Sequence, residues 1–219
     1  MSEQQDWADA TEQQVLDAAL AIAPQEGWTR RMATMAGRAC GLSRGETELL
    51  LPQGPADLAA LLSRRHDAAT LEALSSVDPT ALKIRERIAR GVEARLEAMA
   101  VDEPAVRRCA GFLALPAHLA LAARLAWESA DVIWRWAGDV ATDENHYSKR
   151  LLLAGILSGA LAIRLALGKQ VALAFVDRRI GDVMTFEKWK ATTKLKPSVF
   201  AARLAGGLSR MRYGGKATG

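Results

Sequence analysis

The sequence contains few of the residues from which catalytic and metal sites are built. Its 219 residues include two cysteines, three histidines and only 5% aromatic residues. Cys40 and Cys109 lie far apart in apolar surroundings, which favours buried free thiols over a disulfide or a metal site. No histidine is spaced to share a metal ion with another ligand on one helix, and no phosphate-loop, dinucleotide-binding or nucleophile-elbow pattern occurs. We therefore expect no metal, no cofactor and no enzyme activity.

Long apolar runs are also missing. The two longest uncharged stretches, 110–123 and 151–163, fall short of the roughly 20 residues that a helix needs to cross a bilayer. The polar, acidic start of the sequence differs from a signal or transit peptide. The expectation is a protein without a membrane span, in a bacterial-type cytoplasm and peripheral at the inner membrane.

Alanine, leucine and arginine dominate the sequence, and these residues lose least on entering a helix. Apolar residues recur at helical spacing, and no segment of any length alternates as a strand does. Because Thr11 can cap a helix and Gly or Pro residues punctuate the rest, we predict helices at about 12–23, 31–40, 44–51, 56–74, 80–99, 104–115, 117–137, 146–167, 170–194 and 198–211. The predicted fold class is all-α.

The positive charge is concentrated at the C-terminus. Residues 188–219 hold eight basic and no acidic residues, which leaves 21 basic and 25 acidic residues in the first 187. In helix 198–211 an apolar stripe is bordered by arginines, as in a helix lying in a membrane interface. The predicted membrane-binding residues are Phe200, Arg203, Leu204, Leu208, Arg210 and Met211. The alternative is a tail that packs on its own domain or on a dimer mate.

The first 60 residues resemble the DNA-binding part of TetR-family regulators in the order of their helices and in the turn Gly41-Leu42-Ser43. The helix at 44–51 would then read DNA, yet it carries two acids against one base and ends in three leucines. A helix that lies among phosphates needs positive charge. We expect a structural module and no nucleic-acid partner, and the alternative is a TetR-type regulator with a hydrophobic effector.

The second half carries a more specific resemblance. The segments 134–139, 142–150 and 175–180, with Gly27-Trp28 and 84–88, resemble the coenzyme Q biosynthesis protein nine family. The resemblance implies a TetR-like homodimer that binds isoprenoid or phospholipid ligands. It also implies a non-catalytic accessory protein that presents a ubiquinone precursor to the membrane-associated di-iron demethoxyubiquinone hydroxylase.

The same resemblance suggests the site residues. The partner-facing patch falls on Ile133, Asp143, His146 and Tyr147. Lipid binding is assigned to Trp127, Trp134, Phe175, Ile180 and Met184. From the residues alone, the tryptophans are better interpreted as core or interface aromatics, and His146 and Tyr147 as capping and surface residues.

Three regions complete the expected organisation. A three-helix module occupies 1–55, a helical lipid-binding and dimerisation domain 56–196, and a basic amphipathic tail 197–219. The expected partners are the hydroxylase, an isoprenoid lipid and an anionic membrane surface.

Overall fold

The structure is a computed structural model that describes residues 3–139 and 144–193. Within these ranges the helices are α1 (Glu3–Glu26), α2 (Arg30–Ala39), α3 (Arg44–Leu50), α4 (Pro55–Leu74), α5 (Ile84–Ala100), α6 (Glu103–Leu113), α7 (Leu119–Trp136), α8 (Glu144–Leu167) and α9 (Lys169–Thr193). Single 3-10 turns lie at Pro79–Ala81 and Pro116–His118. No strand occurs in the described ranges, which confirms the predicted all-α class. The chain divides into two units between Asp177 and Arg178.

The turn between α2 and α3 forms as its sequence predicts. Gly41 has a φ of +79°, a conformation that glycine adopts without strain. Ser43 and Glu46 form a capping box at the start of α3: the Ser43 amide donates to the Glu46 carboxylate over 2.8 Å, and the Glu46 amide donates to the Ser43 hydroxyl over 3.2 Å. At Gly37 an added Cβ would lie 2.2 Å from Oγ1 of Thr47, so only glycine lets α2 approach α3 this closely.

Helix α1 begins at Glu3, nine residues earlier than predicted. Thr11 does not cap it but lies inside it, where the hydroxyl donates to the carbonyl oxygen of Trp7 over 2.8 Å. A threonine can satisfy its hydroxyl in this way within a helix, so its presence alone did not mark a start.

Helix α5 begins at Ile84 and not near residue 80. Asp78 caps only one 3-10 turn, and the extended Leu82 then interrupts the helical path. The helix restarts where the Lys83 amide donates to the Glu86 carboxylate over 2.8 Å. The capping interaction at Glu86 therefore sets the boundary.

One hydrophobic core runs from the N-terminal helices into α6 and α7. Trp28 joins it and donates from Nε1 to the carbonyl oxygen of Pro55 over 2.8 Å, which ties the end of α1 to the start of α4. Its buried members are Val15, Leu16, Ala19, Ala23, Trp28, Met32, Ala33, Ala36, Leu51, Leu58, Ala59, Ala60, Leu61, Leu62, Ala105, Val106, Cys109 and Leu125. The core is thus continuous across residue 55, where the sequence analysis places the boundary between the three-helix module and the larger helical domain.

Helix α8 lies where the sequence analysis predicted it, but its composition is more apolar than the uncharged runs indicated. Of the described helices it alone could cross a membrane by length and composition, over His146–Leu167, and α6 with α7 would pass the same test only if the bent pair counted as one span. A core helix of a soluble protein has the same properties, and α8 makes core contacts. It buries Leu153, Ile156 and Leu157, and Arg164 donates to the Glu97 carboxylate of α5 over 3.0 Å.

Candidate functional site

A cavity of about 510 Å³ lies among α4, α5, α6, α7 and α8. Its volume is within the range of small-molecule binding sites. Five lining residues are polar, namely Ser63, His66, Arg95, Ser129 and Ser158. The remaining lining residues are Ala59, Leu62, Leu96, Met99, Val106, Cys109, Ala110, Leu113, Ala114, Leu119, Ala122, Ala123, Leu125, Ala126, Leu157, Leu161, Ala162 and Leu165. Such a lining fits a ligand that offers mainly apolar surface.

The two ends of the cavity differ. The mouth is formed by five exposed lining residues, Ala114, Leu119, Ala123, Ser158 and Ala162. The first three lie where α6 and α7 are bent by 95°, within the uncharged run 110–123, and the other two lie on α8. The polar lining residues Ser63, His66, Arg95 and Ser129 lie on α4, α5 and α7. The cavity therefore leads from a mainly apolar opening, with one serine, to a more polar inner end.

Arg95 is the main charged group at the inner end and is only 5% exposed. Its Nε donates to Asp67 over 2.8 Å, and its Nη2 donates to the hydroxyls of Ser63 and Ser129 over 3.2 and 3.3 Å. Nη1 is buried and donates to no described atom. A buried donor left in this state costs about 1–3 kcal/mol, and more when the group is charged.

His66 lies beside Arg95 and is uncharged at neutral pH. Its Nε2 is 3.2 Å from a carboxylate oxygen of Asp102. Burial, together with the positive charge of Arg95, lowers the pKa of His66 to about 4, against the opposing effect of Asp102. Burial also raises the pKa of Asp67, although Arg95 acts in the other direction. The inner end therefore combines one balanced ion pair with a neutral imidazole.

A second charged cluster, the α7–α8 corner, consists of Asp131, Asp139, Lys149 and Arg150. Arg150 is 1% exposed and binds both carboxylates, with 3.0 Å between Nη1 and Asp139. Lys149 binds Asp139 over 2.7 Å. Burial alone would raise the pKa of Asp139, but the hydrogen bonds from Lys149 and Arg150 outweigh it and hold that pKa below its usual value. The corner fixes the start of α8 against the end of α7.

Trp134 and Arg87 strengthen the same corner. Trp134 donates from Nε1 to the carbonyl oxygen of Lys149 over 3.1 Å, and the Lys149 ammonium lies 5.3 Å from the centre of its ring. Arg87 donates to the carbonyl oxygen of Ala137 over 2.8 Å, next to Gly138 with a φ of +88°. Many residues of the family-like segments therefore hold the fold together.

An aromatic group is placed on the surface by this corner. The ring cluster consists of Trp127, His146 and Tyr147. The ring centres of Trp127 and Tyr147 are 5.9 Å apart, and those of His146 and Tyr147 are 5.2 Å apart. Tyr147 is 64% exposed and His146 is half-buried. Two of the predicted partner-binding residues are thus brought together at a surface.

Ile133 lies elsewhere than the predicted partner patch requires. Its side chain is 1% exposed and packs against Gly91 of α5, where an added Cβ would lie 2.5 Å from Cγ2 of Ile133. A side chain in the core cannot contact a partner directly, so this assignment is corrected. Asp143 lies outside the described residues.

Three of the predicted lipid-binding residues, Trp127, Trp134 and Phe175, do not line the described cavity. Trp127 belongs to the ring cluster and Trp134 to the corner, where their rings are already packed. Phe175 packs near Gly159 of α8, and Ile180 lies in the second unit. The side chain of Met184 and the tail residues Phe200, Arg203, Leu204, Leu208, Arg210 and Met211 lie outside what the structure describes.

The sequence analysis missed the polar end of the cavity. Arg95 lies seven residues after Ile88 and three after Val92, so it falls on the apolar stripe that α5 buries. A charged residue at such a position is a detectable signal, since buried charges need a partner. Its partner Asp67 lies on another helix, and the sequence offers no sign of that contact.

Curated proteins of ubiquinone biosynthesis are similar to this chain. The COQ9-A protein of Xenopus laevis, named mitochondrial, is 29% identical over 188 residues, which cover 80% of this chain and 58% of the relative. COQ9-B of the same organism is 28% identical, with 84% and 66% covered, and COQ9 of Rattus norvegicus is 25% identical, with 78% and 57% covered. The chain therefore spans 57–66% of the length of these relatives.

These names correct one expectation. The relatives are named mitochondrial ubiquinone biosynthesis proteins, which contradicts the expected location in a bacterial-type cytoplasm at an inner membrane. The expectation relied on the charge of the first residues, and that charge did not distinguish the compartments. None of the relatives is named as an enzyme.

A family model agrees with these similarities. The COQ9 model matches residues 119–187, from the start of α7 into α9, and so covers the mouth residues on α7, the corner and the ring cluster. The resemblance seen in the sequence is thereby confirmed over these residues.

Proposed function

We propose that this chain is a non-catalytic accessory protein of ubiquinone biosynthesis that binds an isoprenoid precursor in the cavity and presents it to a di-iron hydroxylase. The cavity carries the proposal, because it is apolar over most of its lining and opens at an uncharged surface. The names of the similar proteins supply the pathway. The hydroxylase is the partner that the family resemblance implies.

The lining provides the affinity that such a ligand needs. An isoprenoid chain offers apolar area and no hydrogen bonds, and each buried methylene contributes about 0.8 kcal/mol. The mouth residues Leu119 and Ala123 are apolar, and neighbouring Leu115 is 52% exposed. Because no charge has to be removed from water there, an apolar chain can enter without a large desolvation cost.

The ring cluster is the proposed contact with the hydroxylase. Tyr147 offers an exposed aromatic surface of the kind that often anchors interfaces. The α7–α8 corner holds it rigidly through Arg150, so little ordering is needed on binding. Exposed Leu151, four residues after Tyr147, extends this apolar surface along α8.

The predicted homodimer can be tested by sedimentation.

Native mass spectrometry of the purified protein tests lipid binding. We expect an isoprenoid or phospholipid to co-purify, and Ala126→Phe, which fills part of the cavity lining, to reduce its occupancy. Ala39→Phe on the exposed side of α2 is the matched control, since Ala39 lies outside the lining. Equal occupancy in both variants would show that the lipid binds elsewhere, and no bound lipid in the wild-type protein would refute the proposal.

A membrane-binding tail is the second part of the proposal and rests on sequence alone. Residues 198–211 would lie in an anionic interface, and the full chain should bind anionic liposomes more strongly than a chain ending at Pro197. Electrostatic binding by the remaining lysines should fade as salt rises, because the screening length falls to about 8 Å at physiological ionic strength. Equal salt-resistant binding by both chains would remove the tail from the mechanism.

A DNA-binding regulator is the second candidate function. The close approach of Gly37 to Thr47 and the capping box at Ser43 give α2 and α3 a helix-turn-helix arrangement. The exposed side of α3 opposes this function, because it carries Glu46 and Glu48. A gel shift at physiological salt distinguishes the accessory protein from the regulator. Tight, sequence-selective binding of duplex DNA would favour the regulator.

A further inference from the structure

We propose that the α6–α7 bend, residues 114–120, inserts into the surface of an anionic lipid bilayer, so that the mouth of the cavity opens directly at the membrane. The bend deepens the proposed lipid-binding function, on which it rests, because it names the surface through which the ligand enters. It consists of described residues alone and is distinct from the predicted tail helix at 198–211.

The bend presents a continuous apolar surface to solvent. From residue 114 to residue 120 every residue except His118 is exposed, and these exposed residues are alanine, leucine and proline. Leu115 and Leu119 are the largest of them and are 52% and 55% exposed. Single exposed leucines are common on protein surfaces, but a contiguous apolar patch marks a site that binds a membrane or a partner.

The fold holds the bend in a fixed arrangement. Helices α6 and α7 are bent by 95° there. The rings of Phe112 and His118 stack across the bend with 3.9 Å between their centres, and the His118 amide donates to the carbonyl oxygen of Leu115 over 2.9 Å. The exposed leucines are therefore already in place, and insertion requires little ordering of the chain.

The charges around the bend favour an anionic bilayer over an uncharged partner. Residues 104–127 contain three arginines and no acidic residue. All three are exposed, namely Arg107, Arg108 and Arg124. The carboxylates that pair with the first and the last belong to Glu103 and Glu128, which lie one helical turn farther from the bend. Apolar residues bordered by arginines match a bilayer interface, in which the leucines enter the acyl region and the arginines meet lipid phosphates.

The mouth of the cavity lies on this same surface. Leu119 and Ala123 line the cavity and are also exposed, and Arg107 donates to the carbonyl oxygen of the lining residue Leu165 over 2.7 Å. A bilayer that receives the bend therefore covers the mouth, and an apolar chain can pass from lipid to cavity without crossing water. Trp127 of the ring cluster follows Ala123 by one helical turn, about 6 Å along α7. The proposed hydroxylase contact thus lies beside a mouth at the membrane.

Fluorescence from a probe on the bend tests insertion in the full chain. Leu115→Cys carries the environment-sensitive dye NBD in a Cys40→Ser background, and burial raises the pKa of the Cys109 thiol to about 12, which keeps it unreactive. Leu49→Cys on α3, where Leu49 is 82% exposed, is the matched control. With vesicles of phosphatidylcholine and about one-third phosphatidylglycerol, we expect a blue shift and quenching by nitroxide-labelled lipid only for the probe at residue 115.

Co-sedimentation with the same vesicles gives a second measurement. Leu115 does not line the cavity, so Leu115→Glu changes the docking surface and leaves the cavity intact. We expect its binding to be roughly ten-fold weaker, which corresponds to the loss of one buried leucine. Leu49→Glu adds the same charge at another exposed leucine and should bind like the wild type. Both variants should take up Nile red from solution equally.

The outcomes separate membrane docking from lipid binding. If the probe at residue 115 responds like the probe at residue 49, or if the two glutamate variants bind vesicles equally, the docking of the bend is overturned, whatever lipid the cavity holds. A blue-shifted probe at residue 115 before vesicles are added would show that the bend is already covered, by a second copy where the shift depends on protein concentration, and would also overturn it. If native mass spectrometry finds no lipid in the wild type, the proposed function and the entry route fall together, even when the bend inserts.

Discussion

Replacing Arg150 with methionine should destabilise the protein much more than replacing Arg135, although both arginines bind Asp131. Arg150 is 1% exposed and binds two carboxylates, and it also donates to the carbonyl oxygen of His146 over 3.2 Å. Arg135 has a side chain that is 74% exposed. Methionine fills a similar length at either position, so the two variants differ mainly in the burial of the lost charge.

The magnitude follows from the partners that remain. Removing one member of a buried ion pair costs about 3–5 kcal/mol. Asp139 keeps Lys149, and Asp131 keeps Arg135, so we expect a loss of about 3 kcal/mol in the free energy of unfolding. For a protein of this size that corresponds to a drop of about 6–12 °C in Tm. The exposed pair of Arg135 should contribute about 0–1 kcal/mol.

Urea denaturation followed by circular dichroism at 222 nm measures both variants, provided that the m-value stays constant. Lys149→Met should fall between them, since the Lys149 side chain is partly exposed at 37%. If Arg150→Met costs no more than Arg135→Met, the corner does not hold α7 and α8 together and our account of the family-like segments is wrong.

Three further predictions follow from the described side chains. The pKa of His66 is lowered from 6.5 to about 4 in the folded protein, so the unfolded chain takes up a proton first as pH falls. The free energy of unfolding should therefore fall by about 3 kcal/mol between about pH 6.5 and about pH 4. Urea titrations should show a smaller fall for His66→Gln, and an equal fall would contradict the pKa assigned to His66. Gly91→Ala should lower the free energy of unfolding by about 1–3 kcal/mol, because the new Cβ would lie 2.5 Å from Cγ2 of Ile133. Gly111→Ala has no atom within 4 Å of its new Cβ and should raise the free energy of unfolding by about 0.5–1 kcal/mol, as helix propensity predicts. Equal melting temperatures of the two variants would refute the packing of Gly91 against Ile133. Tyr147→Ala should weaken co-purification with the proposed di-iron hydroxylase partner. Leu49→Ala on α3 should not, although Leu49 is 82% exposed against 64% for Tyr147; unchanged recovery of the hydroxylase by Tyr147→Ala would exclude the ring cluster.

Helix positions were predictable because their signals are local. Gly41 and Ser43 mark the α2–α3 turn through backbone conformation and capping, and both act within a few residues. The start of α5 was misplaced because Asp78-Pro79 is also a helix start signal, and only the extended Leu82 shows that it serves one 3-10 turn. Propensity does not distinguish a short turn from a long helix.

The site was less predictable because it depends on contacts between distant segments. Ile133 and Tyr147 belong to the same family-like region, yet one is buried and the other is exposed. Periodicity could place Ile133 on one face of α7 but could not say that Gly91 of α5 lies against that face. Similarly, the pairing of Arg95 with Asp67 joins positions 28 residues apart. Residue types indicate that a buried charge needs a partner, but only the fold shows which residue that partner is.

The corner also determines how related sequences can diverge. Asp131, Asp139, Lys149 and Arg150 form one charge-balanced unit, so a chain that loses Arg150 would be expected to lose an acidic residue with it, and these positions should vary together. The ring of His146 lies in an aromatic surface group instead. Correlated substitution at the four corner positions would thus reflect selection for folding, and the substitutions tolerated in the ring cluster would reflect selection for recognition.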